Sequence, residues 1–79
     1  MAVHFKMFPI LANLSTSKLT DQEIDWFEGI TPQSLIDQEG FGAQDQEAIA
    51  VVVNDVQSKK DAVLADGDRV ELLVNIAGG

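Results

Sequence analysis

Ala48-Ile49-Ala50-Val51-Val52-Val53-Asn54-Asp55 and, after an interval, Leu64-Ala65-Asp66-Gly67-Asp68-Arg69-Val70-Glu71-Leu72-Leu73-Val74-Asn75 are the two stretches that decide the fold. The first opens with an almost continuous apolar run rich in β-branched side chains, as expected of a central strand buried on both faces. Asn54-Asp55 then reads as a turn. In the second stretch Asp66-Gly67 is a strong turn signal leading into another strand. There Val70, Leu72 and Val74 share one face while Arg69, Glu71, Leu73 and Asn75 share the other, which predicts an exposed apolar side chain at Leu73. Between the two stretches, Val56 to Leu64 is polar and irregular, with Lys59 and Lys60 expected in solvent, and predicts no regular element.

Working outward, Val3, Phe5 and Met7 alternate with His4 and Lys6, the period of a half-buried strand, and Pro9 marks where ladder pairing must stop. Asn13 to Lys18 is polar and turn-rich, predicting a loop back into a second strand near Leu19 to Phe27, with Ile24 and Trp26 on one face. Thr31-Pro32 is the clearest helix start: the threonine can cap exposed amides, and proline at the first helical position lacks only an N–H that would be unpaired anyway. Leu35 and Ile36 would face the sheet, and Gly40 would end the helix in a left-handed conformation. Gly42 to Glu47 reads as a loop. The order of strand, strand, helix, strand, irregular segment, strand suits an α+β domain of β-grasp type, a mixed sheet of four to five strands gripping one main helix. The expected layout is one domain over residues 1–74 and a flexible tail over 75–79.

The bulk composition narrows the chemistry. Seventy-nine residues make one small domain with an economical core. Thirteen acidic against five basic residues give a net charge of −8, which repels a phosphate backbone and argues against nucleic-acid or anionic-membrane binding. A basic partner surface suits it better. No stretch has the apolar length of a membrane span, nor the start the layout of a secretion signal, so a cytoplasmic location is expected. With no cysteine and one histidine, no disulfide, thiolate metal site or strong nucleophile–base pair is expected. His4 reads as a solvent-facing strand residue, and Asp66-Gly67-Asp68 as a turn in preference to a metal site. The chain reads as a non-enzyme.

Its close, Asn75-Ile76-Ala77-Gly78-Gly79, is a different kind of signal. Two glycines give a thin, unbranched tail able to enter a channel too narrow for side chains. Five extended residues reach about 16 Å. That is enough to carry a terminal carboxylate into a partner's buried site.

Taken together, Val51 to Asn54, the Leu64-Ala65-Asp66-Gly67-Asp68-Arg69-Val70-Glu71-Leu72 segment and the closing Ala77-Gly78-Gly79 resemble, in order and spacing, the ubiquitin-like sulfur carriers. That family contains the small subunit of molybdopterin synthase and the thiamine-pathway sulfur carrier. Lys6-Met7-Phe8-Pro9-Ile10-Leu11 resembles the first strand and apolar exit of the molybdopterin-type members, and Glu23 to Ile36 resembles their strand, turn and helix start. Val74 and Asn75 stand where those members have two prolines, and Asp55 replaces a usual glycine. Against the thiamine type, the first hairpin is long and an insertion before Asp66 is missing. The molybdopterin type is the favoured reading.

The resemblance implies that Gly79 is the reacting group, with Ala77 and Gly78 threading the partner's channel and Phe8 and Leu73 docking on its surface. A ubiquitin-activating-like adenylyltransferase would spend ATP to make an acyl-adenylate at Gly79, and sulfide or a persulfide would displace AMP to leave a thiocarboxylate. No tightly bound cofactor and no metal are implied. The sulfur acceptor would lie on the large subunit of molybdopterin synthase or on thiazole synthase. Two other readings stay open: a protein modifier ending in an isopeptide bond, and a plain interaction domain.

Overall fold

The computed structural model describes residues 1–74; the expected tail over 75–79, with Ala77, Gly78 and Gly79, lies outside the described residues. In chain order the elements are β1 Ala2–Met7, α1 Pro9–Leu14, β2 Asp21–Asp25, α2 Pro32–Gln38, α3 Ala43–Glu47, β3 Ile49–Val53, β4 Val56–Ser58 and β5 Arg69–Val74. The strands form one sheet in the order β2-β1-β5-β3-β4. β1 pairs in parallel with β5 and antiparallel with β2, while β3 pairs antiparallel with both β4 and β5. This is the mixed sheet of a β-grasp domain, with the last strand running through its middle.

Alternation along the strands decides which face is covered. Val3, Phe5 and Met7 of β1, Val70 and Leu72 of β5 and Ile49 and Val51 of β3 are all buried, together with Ile30, Leu35, Ile36, Phe41 and Leu64 from the segments packed over them. Helix α2 supplies Leu35 and Ile36 to that core. Thr31 caps it reciprocally: its side chain accepts from Ser34 N–H at 3.1 Å, and Ser34 Oγ accepts from Thr31 N–H at 3.1 Å. Such a box is worth about 1 kcal/mol. At the other end Gly40 takes φ +79°, and a Cβ there would meet Thr16 Oγ1 at 2.9 Å, so glycine answers both to the left-handed helix end and to the close approach.

Several expectations need correction. β3 is not buried on both faces, because Ala50 and Val52 lie half-buried on the side the helices leave open. The sheet is covered on one face only. The polar interval after Asn54 contains a further strand, β4: Asn54 and Asp55 take φ of 51° and 68°, the two left-handed residues of a tight hairpin turn, and bring Val56 opposite Val53. Lys60 is not simply in solvent, since its Nζ donates to Gln46 O at 2.6 Å. The presumed loop at Gly42 to Glu47 contains α3, which buries none of its residues and so lacks apolar periodicity. Helix α1 follows β1 at once: Pro9, which ends the ladder, also occupies a first-turn helical position. Among the described residues α2 is therefore the longest helix but has two shorter companions.

Candidate functional site

Where β1 gives way to α1, the chain lifts off the sheet at Phe8. Its N–H still donates to Leu72 O at 3.1 Å, which carries the β1–β5 register, ending at Met7 beside Leu72, one step further and sets Phe8 beside Leu73. Alternation places both on the uncovered face. Across β5, Leu73 is paired with Ala50. On the other flank Met7 N–H donates to Thr20 O at 2.9 Å, so the β1–β2 register runs past Asp21 and brings Leu19 alongside Phe8. The result is an apolar row, Leu19, Phe8, Leu73, Ala50, across the end of the sheet from which the chain leaves β5 toward Gly79.

Phe8 is 47% exposed and Leu19 49%, too much open apolar surface for either to be serving the core. Leu73 is half-buried and not fully exposed as the alternation predicted, because a residue in the central strand has neighbours on both sides. The sequence thus named two members of one patch, and the register brings them together. It missed Leu19, and it missed Ile10 and Leu14 on α1, which are 60% and 54% exposed while Leu11 and Ala12 of the same helix are buried. A signal for α1 was present: no charged residue occurs between Lys6 and Lys18, in a chain 23% charged.

Below the apolar row the same face turns polar. Lys6 pairs with Glu71 and His4 with Arg69 across β1 and β5, and His4 Nε2 lies 2.6 Å from Asp21 Oδ1. His4 stands on the solvent face, as its alternation predicted, with no nucleophile beside it to serve as a base. Further down, Asp66 and Asp68 act as turn acceptors. Asp66 Oδ1 accepts from Ala2 N–H at 2.9 Å; Asp68 accepts from Asn54 Nδ2 at 2.9 Å and from Ala65 N–H at 2.8 Å. Trp26, packed against the core, donates from Nε1 to Leu64 O at 2.9 Å.

One buried carboxylate escaped the sequence reading. Glu39, 6% exposed, accepts from Ser17 N–H at 3.0 Å, Ser17 Oγ at 2.6 Å and Gln22 Nε2 at 3.0 Å. Its carbonyl also accepts from Thr16 N–H at 2.9 Å. It clamps the connection between α1 and β2 onto the end of α2, and so fixes Leu19 and α1 relative to the sheet. Charge-assisted hydrogen bonds of this kind offset the desolvation of the buried carboxylate.

The arrangement leaves an apolar row open at one end of the sheet, above a polar stretch of the same face. Comparison with known proteins agrees with the architecture. The sequence profile of the ThiS family matches residues 10–79, leaving out β1 together with Phe8 and Pro9. No curated protein sequence matches the chain significantly. Among solved structures, a Pyrococcus furiosus protein described as molybdopterin converting factor subunit 1 is 23% identical, with 96% of this chain and 99% of that one covered and a TM-score of 0.70. The small archaeal modifier protein 1 of H. volcanii is 20% identical over 95% and 98% of the two chains, with a TM-score of 0.71. A chain from the complex of subunits 1 and 2 of the Helicobacter pylori molybdopterin-converting factor is 20% identical over 100% of both, with a TM-score of 0.62. At these identities the three likenesses bear on the fold.

Proposed function

The chain belongs to the ThiS family, and from that premise we propose that it is a sulfur carrier of the molybdopterin-synthase small-subunit type, acting in the cytoplasm through Gly79. The observation that carries the reading is the apolar row at the end of β5: Phe8 and Leu73 stand exposed or half-exposed beside the point where the chain leaves for its glycines. Ordering five tail residues costs roughly 1–2 kcal/mol each in backbone entropy, so the body of the domain must supply docking energy. With Phe8 47% exposed and Leu73 half-buried, each has about half of the 1.5–3 kcal/mol of full burial still to gain on a partner, roughly 1 kcal/mol.

A C-terminal carboxyl group, with an ordinary pKa of about 3.3–3.7, is ionised at neutral pH and is a poor electrophile, since it already bears the charge an attacking group would add. Activation belongs to the partner. An adenylyltransferase of the ubiquitin-activating kind lets the Gly79 carboxylate attack the α-phosphate of ATP, releasing pyrophosphate and leaving an acyl-adenylate. Hydrosulfide, or its equivalent on a sulfur donor, then adds to the acyl carbon and expels AMP, leaving a thiocarboxylate. Ala77 and Gly78 pass through the narrow approach to that chemistry. The large subunit then holds the acceptor that takes the sulfur, so this chain is a cosubstrate and its partners are the catalysts.

Likeness to subunit 1 of two molybdopterin converting factors supports the molybdopterin type over the thiazole type. Likeness to a small archaeal modifier supports a second reading, in which the same activated Gly79 ends in an isopeptide bond to a lysine of another protein. Deleting Gly79, or changing Gly78→Val, is expected to abolish sulfur transfer to the large subunit while thermal unfolding stays unchanged. Full transfer by a folded Gly79 deletion would sink the proposal, and recovery of Gly79-linked lysine peptides from cell extract would favour the modifier.

A further inference from the structure

We infer that the free edge of β2 is a separate interface, which takes an extended partner segment with lysine or arginine at alternate positions and aliphatic residues between them. It goes beyond the carrier reading and does not depend on Gly79. Strand β2 lies at one side of the sheet, with only β1 paired to it among the described residues. Met7 N–H donates to Thr20 O at 2.9 Å and Trp26 N–H to Met1 O at 3.1 Å. The ladder therefore turns the backbone groups of Gln22 and Ile24 toward β1 and leaves those of Asp21, Glu23 and Asp25 pointing outward. Edge strands are commonly protected by shortness, proline or a bulge. The opposite edge, β4, is three residues long. Strand β2 has five residues, none of them proline, and its register runs unbroken from Ala2 opposite Asp25 to Lys6 opposite Asp21.

Side chains on the two faces of β2 specify the occupant. On the open face Asp21, Glu23 and Asp25 are exposed. His4 Nε2 meets Asp21 Oδ1 at 2.6 Å, while Glu23 and Asp25 have no ion pair among the described residues. On the other face Gln22 and Ile24 are only half-buried, although Phe5 and Val3 opposite them on β1 are buried. Helix cover thus stops at β1. Beyond it a groove of about 430 Å³ opens between β2 and α2, floored by Phe5, Ile24 and Leu35 and rimmed by Gln22, Gln38 and Glu39. The bonds of Glu39 to Ser17 and Gln22 hold that rim in place before any partner arrives. A strand laid along β2 continues the pleat, placing alternate side chains beside the carboxylates and over the groove. Basic residues suit the first set of positions and aliphatic ones the second. A second copy pairing through its own β2 would set carboxylates against carboxylates, and a chain of charge −8 repels a phosphate backbone. Edge charge of a single sign rejects self-pairing and admits a basic strand.

The probe is a terminally blocked peptide of alternating lysine and valine, set against the same peptide with proline at its central valine, which keeps the charge and breaks the ladder. NMR titration with amide hydrogen exchange is expected to show slowed exchange at the amides of Asp21, Glu23 and Asp25, and binding about tenfold weaker or worse for the proline peptide. In the protein, Glu23→Gln removes one carboxylate and should weaken binding about two- to fivefold. Glu23→Pro also removes an outward N–H, which an edge strand tolerates, and should weaken binding about fivefold further. If Glu23→Pro does not fold, the exchange pattern of the parent with the two peptides decides. Equal binding of the two peptides overturns the proposal, because charge alone would then account for it. Absence of binding overturns it, as does protection confined to β4 or binding by a folded Glu23→Pro that equals that of Glu23→Gln. Sedimentation of the parent as a dimer protected along β2 makes the occupant a second copy, with the same consequence. None of these measurements involves the C-terminus, so they decide the role of β2 whether or not Gly79 takes up sulfur.

Discussion

At the end of the sheet where β1 begins, Asp66, Asp68, Asn54 and Trp26 close on one another and on the backbone. At the end where β1 gives way to α1, Phe8, Ile10, Leu14 and Leu19 are left open. The first end satisfies its turns with its own side chains, though Met1, Phe27, Val56 and Val63 are exposed there too. The other aligns apolar side chains across neighbouring strands, with Leu73 paired to Ala50 and Phe8 bonded through its N–H to Leu72. Buried apolar area is the main source of stability for so small a chain, so aligned apolar side chains left outside the core are the feature of this face to account for. On the proposed reading, the pattern separates residues that make the fold from those that dock.

Neighbours on β5 give the sharpest way to break this separation. Leu72, fully buried, and Leu73, half-buried on the opposite face, are adjacent in sequence. Leu72→Ala should cost about 2–5 kcal/mol of stability in urea unfolding. A loss under 1 kcal/mol would mean that the core is not where the burial pattern puts it. Phe8→Asp, next in size, should weaken large-subunit binding by at least about 1 kcal/mol, roughly fivefold or more, while the urea midpoint stays close to the parent's. If the midpoint falls sharply and binding does not, Phe8 belongs to the fold and the two ends are not distinct. Asp68→Ala reverses the expectation: by removing the exposed hydrogen bonds from Asn54 Nδ2 and Ala65 N–H it should lower stability by about 0.5–1.5 kcal/mol and leave docking untouched. The smallest effect is at Asp55, held at φ 68°, where Asp55→Gly relieves a left-handed conformation and should raise stability by up to about 1 kcal/mol. A decrease in the urea midpoint would show that the exposed Arg69–Asp55 pair at 3.2 Å outweighs the backbone term.

Much of this arrangement was legible from residue order. Alternation fixed β1 and β5, Thr31-Pro32 announced α2, and Asp66-Gly67 located the turn into the last strand, because each is a local signal set by backbone sterics or pleat geometry. The misses also have local causes. Helix α3 buries nothing and so leaves no apolar period. Helix α1 is announced by a proline whose other meaning, the end of a strand, was equally true. Strand β4 is three residues long, too short for alternation to show. Asp55 stands where the resemblance implies glycine, and its φ of 68° is a conformation that aspartate tolerates better than most residues.

The apolar row was half legible. Phe8 and Leu73 could be named singly from alternation and resemblance, but the row they form with Leu19 and Ala50 depends on a parallel β1–β5 pairing between strands 65 positions apart, such as His4 with Arg69. No local signal carries strand order. Glu39 was invisible for a related reason, since its partners Ser17 and Gln22 are 22 and 17 positions away.

The central claim concerns a single group, the acyl carbon of Gly79, and intact-mass analysis reads it directly. The protein with its native C-terminus is incubated with an adenylyltransferase of the ubiquitin-activating kind, ATP and sulfide. The account predicts exchange of one oxygen for sulfur, localised to Gly79 by fragmentation and absent without ATP. An unaltered mass, under conditions in which the same enzyme thiocarboxylates a known carrier, would contradict it, as would a native gene product with uncleaved residues beyond Gly79.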